Sequence, residues 1–444
     1  MKHIVILGNG ISGITAARHI RKHSDFRITV ISGETEHFFS RTALMYIYMG
    51  HMKYQHTKPY EDFFWAKNRI ELKKAWVKTI DFDTKTLHFE TPETMQYDQL
   101  ILAVGSSINR FGWPGQELAG VQGLYSYQDL ELMEANTAAV TSAVIVGGGL
   151  IGIEMAEMLL TRNIPVTFLV REKSYWNNVL PEEESALIGR HIEEHGVKLR
   201  LSTELAEIIP DENGRVKAIK TTTNEQIECQ FVGLAVGVHP NLSLLKDTKL
   251  ETDRGILVNE FLETNLPDVY AIGDCVQHRT PQQDRKSVEQ IWYTGRIMGE
   301  TVARTICGER TAYQPGVFFN SAKFFAIEYQ TYGQVPARLP EECDTFYWEN
   351  KEKQVALRLN FRKDNQALTG VNGFGIRLRH EVFDRWIKEK KPIQQVLAQL
   401  HEAHFDPEFF RRYEPEIVAD YNEKHPTTPI TQVRQPNFWE KLFS

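Results

Sequence analysis

The sequence of 444 residues has only four cysteines, and they stand far apart, at Cys229, Cys275, Cys307 and Cys343. No two of them form a CxxC or CxxxxC pair, and none belongs to a cluster with metal-ligand spacing. This pattern argues against a disulfide framework and a dithiol redox motif. It is typical of a reducing compartment, so we expect a cytoplasmic protein with no metal site.

The sequence also lacks an uninterrupted apolar run and an excess of positive charge. Its longest apolar stretch, AVIVGGGLIGIEMAEMLL, is broken by three adjacent glycines and two glutamates, whereas a bilayer-spanning helix needs about 20 mostly apolar residues. The net charge of −7 argues against a basic groove for nucleic acid. The amino terminus enters the apolar stretch KHIVILGNG without a charged leader. We therefore predict no transmembrane segment, no targeting leader and no nucleic-acid partner.

What the sequence does have is the composition of a large globular protein. A hydrophobic content of 42% and a charged content of 25% are ordinary for folded domains. The length suggests about two to three such domains. Two glycine-rich motifs indicate which fold they take.

The first motif, GNGISG at residues 8–13, lies between an apolar strand pattern, HIVIL, and a helical pattern, ITAARHIRKH. In such a unit the first glycine permits a tight turn, the second lets a pyrophosphate approach the backbone, and the third lets helix and strand pack closely. The amino end of the helix offers free N–H groups to the phosphates. A second strand, RITVI, leads to Ser32-Gly33-Glu34, where Glu34 is placed to hydrogen-bond a ribose. The unit predicts a dinucleotide site.

The same arrangement occurs again at residues 147–152. There GGGLIG follows the strand pattern AVIV and precedes the helix IEMAEMLLTRN and the strand VTFLV. Two nucleotide sites in one chain indicate that one nucleotide passes electrons to the other. The expected fold class is α/β, with two Rossmann-like domains.

Three further stretches resemble a known family. TNLPDVYAIGDC, residues 264–275, ends in a Gly-Asp-Cys run and resembles the second FAD fingerprint of the pyridine nucleotide–disulfide oxidoreductase superfamily. LILAVGS, residues 100–106, is similar to the strand that leaves that family's FAD domain, and AVGVHPN, residues 235–241, to the strand that leaves its NAD(P) domain. The resemblance covers about residues 1–310. It implies FAD as cofactor and NADH or NADPH as co-substrate.

The motifs and the resemblance together assign the nucleotide-binding residues. Those expected to hold FAD are Gly8, Gly10, Ile11, Ser12, Gly13, Glu34, Arg41, Thr42, Val77, Ala103, Gly105, Gly273 and Asp274, with Asp274 on the ribityl chain. Those expected to hold NAD(P)H are Gly147, Gly149, Leu150, Ile151, Gly152, Glu154, Arg171 and Gly237.

The stretch HFFSRTALMYIYMG, residues 37–50, bears on the branch of the family, because the disulfide-reducing branches carry a redox cysteine here. Thr42 stands at that position, and a hydroxyl forms neither a thiolate nor a disulfide. Arg41 resembles an arginine that contacts the FAD phosphates in ferredoxin-, rubredoxin- and nitrite-reductase-type flavoproteins, and a guanidinium matches a phosphate bidentately. Those proteins usually carry a lysine five positions later. This chain has Tyr46 there, which either lines the flavin or packs in the core.

Two more residues are candidates for the reaction centre, and no residue is assigned a catalytic role from the sequence. Glu154 matches a family glutamate between nicotinamide and flavin, or else serves only the amino end of its helix. Trp292 lies on a helix expected to begin near Ser287 and to direct its amino end at the flavin. Its indole either covers the flavin ring or packs in the core.

Coenzyme choice depends on the end of the strand VTFLV. Arg171 follows that strand and favours the 2′-phosphate of NADPH, although a merely solvated role stays open. Cys275 directly follows the predicted FAD aspartate. Without a partner thiol it is expected to be structural.

The family order predicts a split FAD domain, residues 1–112 and 245–310, with an NAD(P) domain, residues 113–244, inserted between. Residues 311–424 predict antiparallel strands and then an amphipathic helix, RHEVFDRWIKEKK. They resemble the family's α+β carboxy-terminal interface domain, which implies a homodimer. The tail, residues 425–444, carries the aromatic and apolar residues Phe438, Trp439, Leu442 and Phe443, which either pack on their own domain or dock on a partner or a membrane surface.

The sequence therefore predicts an FAD-dependent NAD(P)H oxidoreductase that needs no redox-active disulfide. Its expected electron acceptor is a small iron–sulfur or rubredoxin-type protein or a partner subunit. Two alternatives stay open. LILAVGSSINRFGWPG resembles the type II NADH:quinone dehydrogenases, although Glu289 and Tyr293 stand where that family has paired glutamines. A resemblance to the apoptosis-inducing-factor-like branch would instead imply a flavin redox sensor or scaffold.

Overall fold

The computed structural model describes residues 1–282, 285–405 and 411–431. Its contacts divide the chain into two compact units. Unit 1 consists of Met1–Arg171 and Gly196–Pro315, and unit 2 consists of Glu172–His195 and the described part of Gly316–Ser444. The aromatic and apolar residues predicted to mark the tail lie outside the described residues.

Strands and short helices alternate along unit 1, and antiparallel strands followed by helices make up most of unit 2. The strands are β1 (His3–Leu7), β2 (Arg27–Ser32), β3 (Ile70–Lys74), β4 (Val77–Asp81), β5 (Thr86–Phe89), β6 (Thr94–Gln96), β7 (Gln99–Leu102), β8 (Ser106–Ile108), β9 (Val121–Gln122), β10 (Ala143–Val146), β11 (Val166–Leu169), β12 (Lys198–Arg200), β13 (Leu205–Pro210), β14 (Val216–Thr221), β15 (Gln226–Glu228), β16 (Phe231–Leu234), β17 (Val238–Pro240), β18 (Ile256–Val258), β19 (Val269–Ala271), β20 (Val276–His278), β21 (Phe319–Phe324), β22 (Ile327–Gly333), β23 (Cys343–Asn350), β24 (Val355–Arg362) and β25 (Leu368–Phe374). The helices are α1 (Ile11–His23), α2 (Leu44–Tyr48), α3 (Phe63–Lys67), α4 (Tyr127–Thr137), α5 (Leu150–Thr161), α6 (Glu182–Glu194), α7 (Trp292–Ile306), α8 (His380–Lys388), α9 (Ile393–Ala398) and α10 (Glu414–Lys424).

The first sheet of unit 1 is parallel, with strand order β19-β7-β1-β2-β3. Its central strand β1 is apolar throughout its buried part, as expected for a parallel strand covered on both faces. Helix α1 buries Ile14, Ala17 and Ile20 on one face, and three basic residues lie in its last turn, where the helix dipole favours them. We call the part of unit 1 built on this sheet the first lobe.

The second sheet of unit 1 is also parallel, with strand order β12-β11-β10-β16-β9. Its central strand β10 is buried at all four residues, and α5 packs against it. We call the part of unit 1 built on this sheet the second lobe. The order 3-2-1 with further strands beyond strand 1 is the doubly wound pattern of dinucleotide-binding folds in both lobes. The α/β fold class predicted from the sequence is confirmed.

Smaller sheets complete unit 1. An antiparallel sheet β4-β5-β6 belongs to the first lobe and another, β13-β14-β15, to the second. The pair β8–β17 is antiparallel and joins the segment that leaves β7 to the segment that leaves β16. The chain therefore passes between the lobes on two adjacent strands.

Unit 2 is built on an antiparallel sheet with strand order β21-β22-β25-β24-β23. The antiparallel strands predicted after residue 311 are confirmed, with β24 and β25 joined by a turn at residues 363–367. The predicted amphipathic helix is α8, which buries Val382, Phe383 and Trp386. Helix α6 also belongs to this unit, although it lies between β11 and β12 in the sequence.

One helix begins later than predicted. The helix expected near Ser287 begins at Trp292, because Ile291 has an extended backbone (φ −132°, ψ 134°). The preceding residues are held by side chains instead. Arg285 donates to both carboxylate oxygens of Glu289 at 2.7 and 2.6 Å, and Gln290 donates to Ser106 Oγ at 2.6 Å. In the described ranges, no helix combines the length and apolarity that a membrane span requires.

Candidate nucleotide and flavin site

The first glycine turn has the close approaches that its sequence predicts. Gly8 has φ +114°, and its N–H donates to Ile31 O at 2.8 Å. A Cβ at Gly8 would lie 2.1 Å from Ala103 O, and one at Gly13 would lie 2.1 Å from Gly8 O. Neither position can take a side chain without a backbone shift. Ile11 and Ser12 form the first turn of α1 beside them.

The second glycine of this turn faces open space. A Cβ at Gly10 would meet no atom within 4 Å. Gly10 is the N-cap of α1, where it offers no side-chain cap, and the first turn of the helix contains no acidic residue. An uncapped helix N-terminus with a bare glycine approach fits a pyrophosphate, because the free N–H groups and the helix dipole both favour an anion.

Asp274 lies half-buried in a cluster of hydroxyl groups beyond this turn. Its Oδ2 is 3.4 Å from both Ser106 Oγ and Tyr125 OH, and Gln290 donates to the same Ser106 oxygen. Burial raises the pKa of the Asp274 carboxyl, with Arg41 opposing the rise. Burial also raises the pKa of Tyr125 to about 12. A half-buried carboxylate acceptor among hydroxyl groups fits the polyol chain of a flavin nucleotide.

Gly273 and Gly105 allow this cluster to form. Gly273 has φ +78°, and a Cβ there would lie 2.4 Å from Ser12 Oγ. Gly105 has φ +70°, and a Cβ there would lie 2.9 Å from Tyr125 OH. The predicted FAD residues Gly8, Ser12, Ala103, Gly273 and Asp274 are therefore brought together at the carboxyl ends of β1 and β7.

Glu34 and Arg41 form an ion pair at the end of β2. The guanidinium of Arg41 donates to both Glu34 oxygens, at 2.8 and 2.6 Å, and to Tyr125 O at 2.6 Å. Glu34 also accepts from the backbone N–H of Tyr127 at 2.8 Å. Glu34, predicted to bind a ribose, and Arg41, predicted to bind a phosphate, are thus hydrogen-bonded to each other. Both also contact backbone atoms of the second lobe.

Three other residues predicted for this site are half-buried or exposed. Thr42 is exposed, with its Oγ1 3.1 Å from Ser40 Oγ, and it stands in a short turn before α2. Tyr46 is half-buried and stacks on His51 at 6.3 Å between ring centroids. Val77 is half-buried at the start of β4. Their roles stay predictions.

The second glycine turn repeats the geometry of the first. Gly147 has φ +108°, and a Cβ there would lie 2.4 Å from Ala235 O. A Cβ at Gly152 would lie 2.7 Å from Phe168 Cζ, whereas at Gly149 the nearest atom would be 3.8 Å away. Gly149 caps α5 without a side chain. This turn also fits a pyrophosphate, with Leu150 and Ile151 as the first residues of its helix.

The remaining residues predicted for the second nucleotide surround this turn. Gly237 has φ +89°, and Asn109 packs against it and donates to Val236 O at 3.2 Å. Arg171 is exposed after β11. Glu154 is half-buried in the second turn of α5 and has no hydrogen-bond or ion-pair partner among the described residues. Burial, with a smaller contribution from Glu157, raises the pKa of its carboxyl to about 7.

Trp292 is the first residue of α7 and is 39% exposed, so it does not pack in the core. Its ring meets that of Tyr293 edge-on at 5.3 Å. Glu289, which stands where a quinone-reducing relative would have a glutamine, is buried in its pair with Arg285.

All four cysteines lie in the described part of the chain, and each is a free thiol. Cys275 is fully buried, with its Sγ 3.3 Å from Ile272 O and 3.6 Å from Leu102 O. Burial raises the pKa of the Cys275 and Cys229 thiols to about 12. These two thiols are protonated at neutral pH, so they are poor nucleophiles.

Sequence reasoning missed Ser106, Tyr125, Tyr127 and Gln290. No motif marks them, because their place depends on segments up to 184 residues apart that meet at Asp274, Ser106 and Glu34. Of these four residues, only Ser106 could have been identified from the sequence, since it directly follows the predicted FAD residue Gly105.

The model of the pyridine nucleotide-disulphide oxidoreductase family matches residues 2–293 of the chain. Among curated proteins, the chain is 27% identical over 331 residues to a nitrite reductase [NAD(P)H] of Bacillus subtilis, covering 74% of this chain and 40% of that protein. It is 31% identical over 286 residues to a rubredoxin-NAD(+) reductase of Acinetobacter baylyi, covering 62% of this chain and 72% of that protein. The chain thus spans less than half of the nitrite reductase and most of the rubredoxin reductase.

Among solved structures, a ferredoxin reductase from Rhodopseudomonas palustris superimposes with a TM-score of 0.77 and 20% identity. The match covers 84% of this chain and 91% of that one. At this identity the likeness shows the fold alone. That fold carries two dinucleotide-binding lobes, as found here.

Proposed function

The chain belongs to the pyridine nucleotide-disulphide oxidoreductase family, and from this premise we propose that it is an FAD-dependent NAD(P)H oxidoreductase that reduces a small electron-transfer protein without a redox-active disulfide. The observation that carries the proposal is the pair of uncapped glycine turns within one unit. The curated relatives point in the same direction, since one is named a rubredoxin reductase.

The first lobe would hold FAD and the second would hold NAD(P)H. The turn of residues 8–13 would hold the FAD pyrophosphate, with Gly10 facing it, while Glu34 would meet a ribose and Asp274 the ribityl chain. The turn of residues 147–152 would hold the pyrophosphate of the coenzyme, with Gly149 facing it. Bound FAD would supply the group that accepts a hydride and releases electrons one at a time. The protein's part is to orient both nucleotides and to exclude water between them.

The route of the electrons out of the protein would not use a thiol. Thr42 stands where the disulfide-reducing branches have a cysteine, and Cys275 is buried with its pKa raised to about 12. Direct transfer from the flavin to an external acceptor is then the remaining route. We propose a rubredoxin- or ferredoxin-type protein, or a partner subunit, as the acceptor, a cytoplasmic location, and a homodimer formed through the carboxy-terminal domain, residues 311–424.

The test is an anaerobic visible-spectrum titration of the flavin-loaded protein with NADH and, separately, with NADPH. Bleaching of the flavin near one equivalent of one coenzyme is the expected result. The reduced protein is then mixed with rubredoxin, with a plant-type ferredoxin or with a soluble quinone, and reoxidation is followed. Failure of both coenzymes to bleach a flavin that dithionite does reduce would contradict the proposal and favour a flavin sensor or scaffold.

A matched variant addresses the choice of coenzyme. Arg171→Gln keeps a polar, hydrogen-bonding side chain, although a shorter one, and removes the charge that would meet a 2′-phosphate. We expect it to weaken NADPH binding by about tenfold and to leave NADH binding unchanged. An equal effect on both coenzymes would contradict a role in recognising the 2′-phosphate.

A further inference from the structure

Tyr48 joins the first lobe to the second. It is the last residue of α2, and only 1% of it is exposed. Its hydroxyl lies 2.7 Å from Thr137 Oγ1, which itself donates to Met133 O at 2.7 Å. Because the threonine hydroxyl has a single proton, Tyr48 is the donor to Thr137. The end of α2 is thereby hydrogen-bonded to the end of α4.

Arg162 covers the same tyrosine from the end of α5. Its guanidinium carbon lies 3.5 Å from the centroid of the Tyr48 ring, a cation–π contact. Its Nη2 donates to Tyr48 O at 2.5 Å and to Glu134 Oε1 at 2.6 Å. Both lobes thus contribute to one cluster, in which the guanidinium of Arg162 contacts both the ring of Tyr48 and the carboxylate of Glu134.

The two elements that meet at this cluster begin at the two predicted nucleotide sites. Helix α5 begins at the second glycine turn and carries Glu154. It ends next to Arg162, which lies about 12 Å from Glu154 along the helix axis at 1.5 Å per residue. Helix α2 follows the turn Arg41–Ala43, in which Arg41 is hydrogen-bonded to Glu34. A shift of Arg162 against Tyr48 would therefore move one site relative to the other.

We propose that Tyr48 and Arg162 form an interlobe latch, a pair of positioning residues that fixes the distance between the NAD(P)H site and the flavin site. This inference rests on the proposed function. Hydride transfer is sensitive to such distances, because a misplacement of 1 Å costs up to about 100-fold in rate. The latch would act on the rate of transfer and leave the contacts of the coenzyme in place.

Arg310 provides a matched control within the first lobe. Its guanidinium lies 3.7 Å from the ring centroid of Phe261, and it donates to both oxygens of Glu263, at 3.1 and 2.7 Å. The chemistry is the same as at Arg162, but both partners belong to the first lobe. Loss of Arg310 therefore removes a similar cluster without freeing one lobe from the other.

The experiment compares Arg162→Gln, Tyr48→Phe and Arg310→Gln with the parent protein, all loaded with FAD. Anaerobic stopped-flow reduction gives the limiting rate of flavin reduction and the Kd of the coenzyme separately. Hydrogen exchange of residues 44–48 reports on the latch itself, independently of turnover. Thermal unfolding of each variant shows whether it is folded.

We expect Arg162→Gln to lower the limiting rate by about tenfold or more, to change Kd by less than about twofold, and to reduce the protection of residues 44–48. Tyr48→Phe, which keeps the ring and loses only one hydrogen bond, should fall between Arg162→Gln and the parent. Arg162→Lys should recover part of the rate through its charge. Arg310→Gln should leave both the rate and the protection unchanged.

Parent-like limiting rates in both Arg162→Gln and Tyr48→Phe would overturn the latch, and so would an equal loss in Arg310→Gln. If the parent itself is not reduced by NADH or NADPH, the proposed function falls and the latch falls with it. If the parent is reduced and the latch variants are indistinguishable from it, only the latch is overturned.

Discussion

The guanidinium of Arg41 donates to both carboxylate oxygens of Glu34, at 2.8 and 2.6 Å. From the sequence, the two residues are separate ligands, one for a phosphate and one for a ribose. In the structure they orient one another, and they also bind Tyr125 O and the N–H of Tyr127. Glu34 would thus meet a ribose as a carboxylate whose direction is already fixed.

Arg41→Lys should weaken this arrangement, because an ammonium cannot reproduce the fork that bonds both oxygens. We expect about a tenfold rise in the Kd of FAD and a loss of about 1–2 kcal/mol in the free energy of unfolding of the apoprotein. FAD fluorescence on dilution and urea unfolding measure the two effects. Lys249→Gln, which breaks an exposed ion pair with Asp83, should leave the free energy of unfolding nearly unchanged, because solvent screens such a pair. Equal costs for both variants would contradict the prediction.

Glu154 should make the stability of the protein fall as the pH rises. Burial raises the pKa of its carboxyl to about 7 in the folded state, whereas in an unfolded chain the pKa is about 4.3. Between these values the folded state binds more protons, so the free energy of unfolding decreases with pH across that window and stays low above it. Below about pH 4.3 both states are protonated and the effect vanishes.

Glu154→Gln removes this titration. We expect the variant to be more stable than the parent by about 1–3 kcal/mol at pH 8.5 and equal to it within about 0.5 kcal/mol at pH 4.5. Urea unfolding of the two apoproteins at both pH values measures the difference. Glu207→Gln, at an exposed position of the same lobe, is the control and should show no such pH dependence. A constant difference between Glu154→Gln and the parent would exclude this carboxyl as the source.

Within unit 2, Glu184 and Arg358 form a buried pair. Glu184 is 0% exposed and accepts from Arg358 Nε at 2.8 Å and from Asn372 at 2.7 Å. Arg358→Met would leave the carboxylate without its cation, so we expect a loss of about 3 kcal/mol. The double variant Glu184→Gln/Arg358→Met should recover most of it, because a neutral amide can still accept from Asn372. Chemical unfolding of the two singles and the double measures the coupling, and additive costs would contradict it.

The parts predictable from the sequence are those set by local patterns. The strands β1 and β10 follow from apolar runs, and the two turns follow from glycines that the structure places against Ala103 and Ala235. The start of α7 was wrong by five residues, because Arg285, Glu289 and Gln290 are held by side-chain partners that no local pattern contains. The burial of Glu184 was not predictable from the local sequence either, since Arg358, which pairs with it, lies 174 residues away.

Cys275 tests the claim that electrons leave without a thiol. Because burial raises its pKa to about 12 and none of it is exposed, iodoacetamide should modify it only after unfolding. Cys275→Ala should keep the parent's rate of flavin reduction by NAD(P)H and its rate of electron delivery to rubredoxin, with a loss of stability near 1 kcal/mol from the small cavity, or about 2 at most. Stopped-flow reduction and mass-spectrometric thiol mapping measure these outcomes. A folded Cys275→Ala protein that is reduced normally but no longer passes electrons on would place this thiol on the path, whereas normal delivery would exclude Cys275 from it.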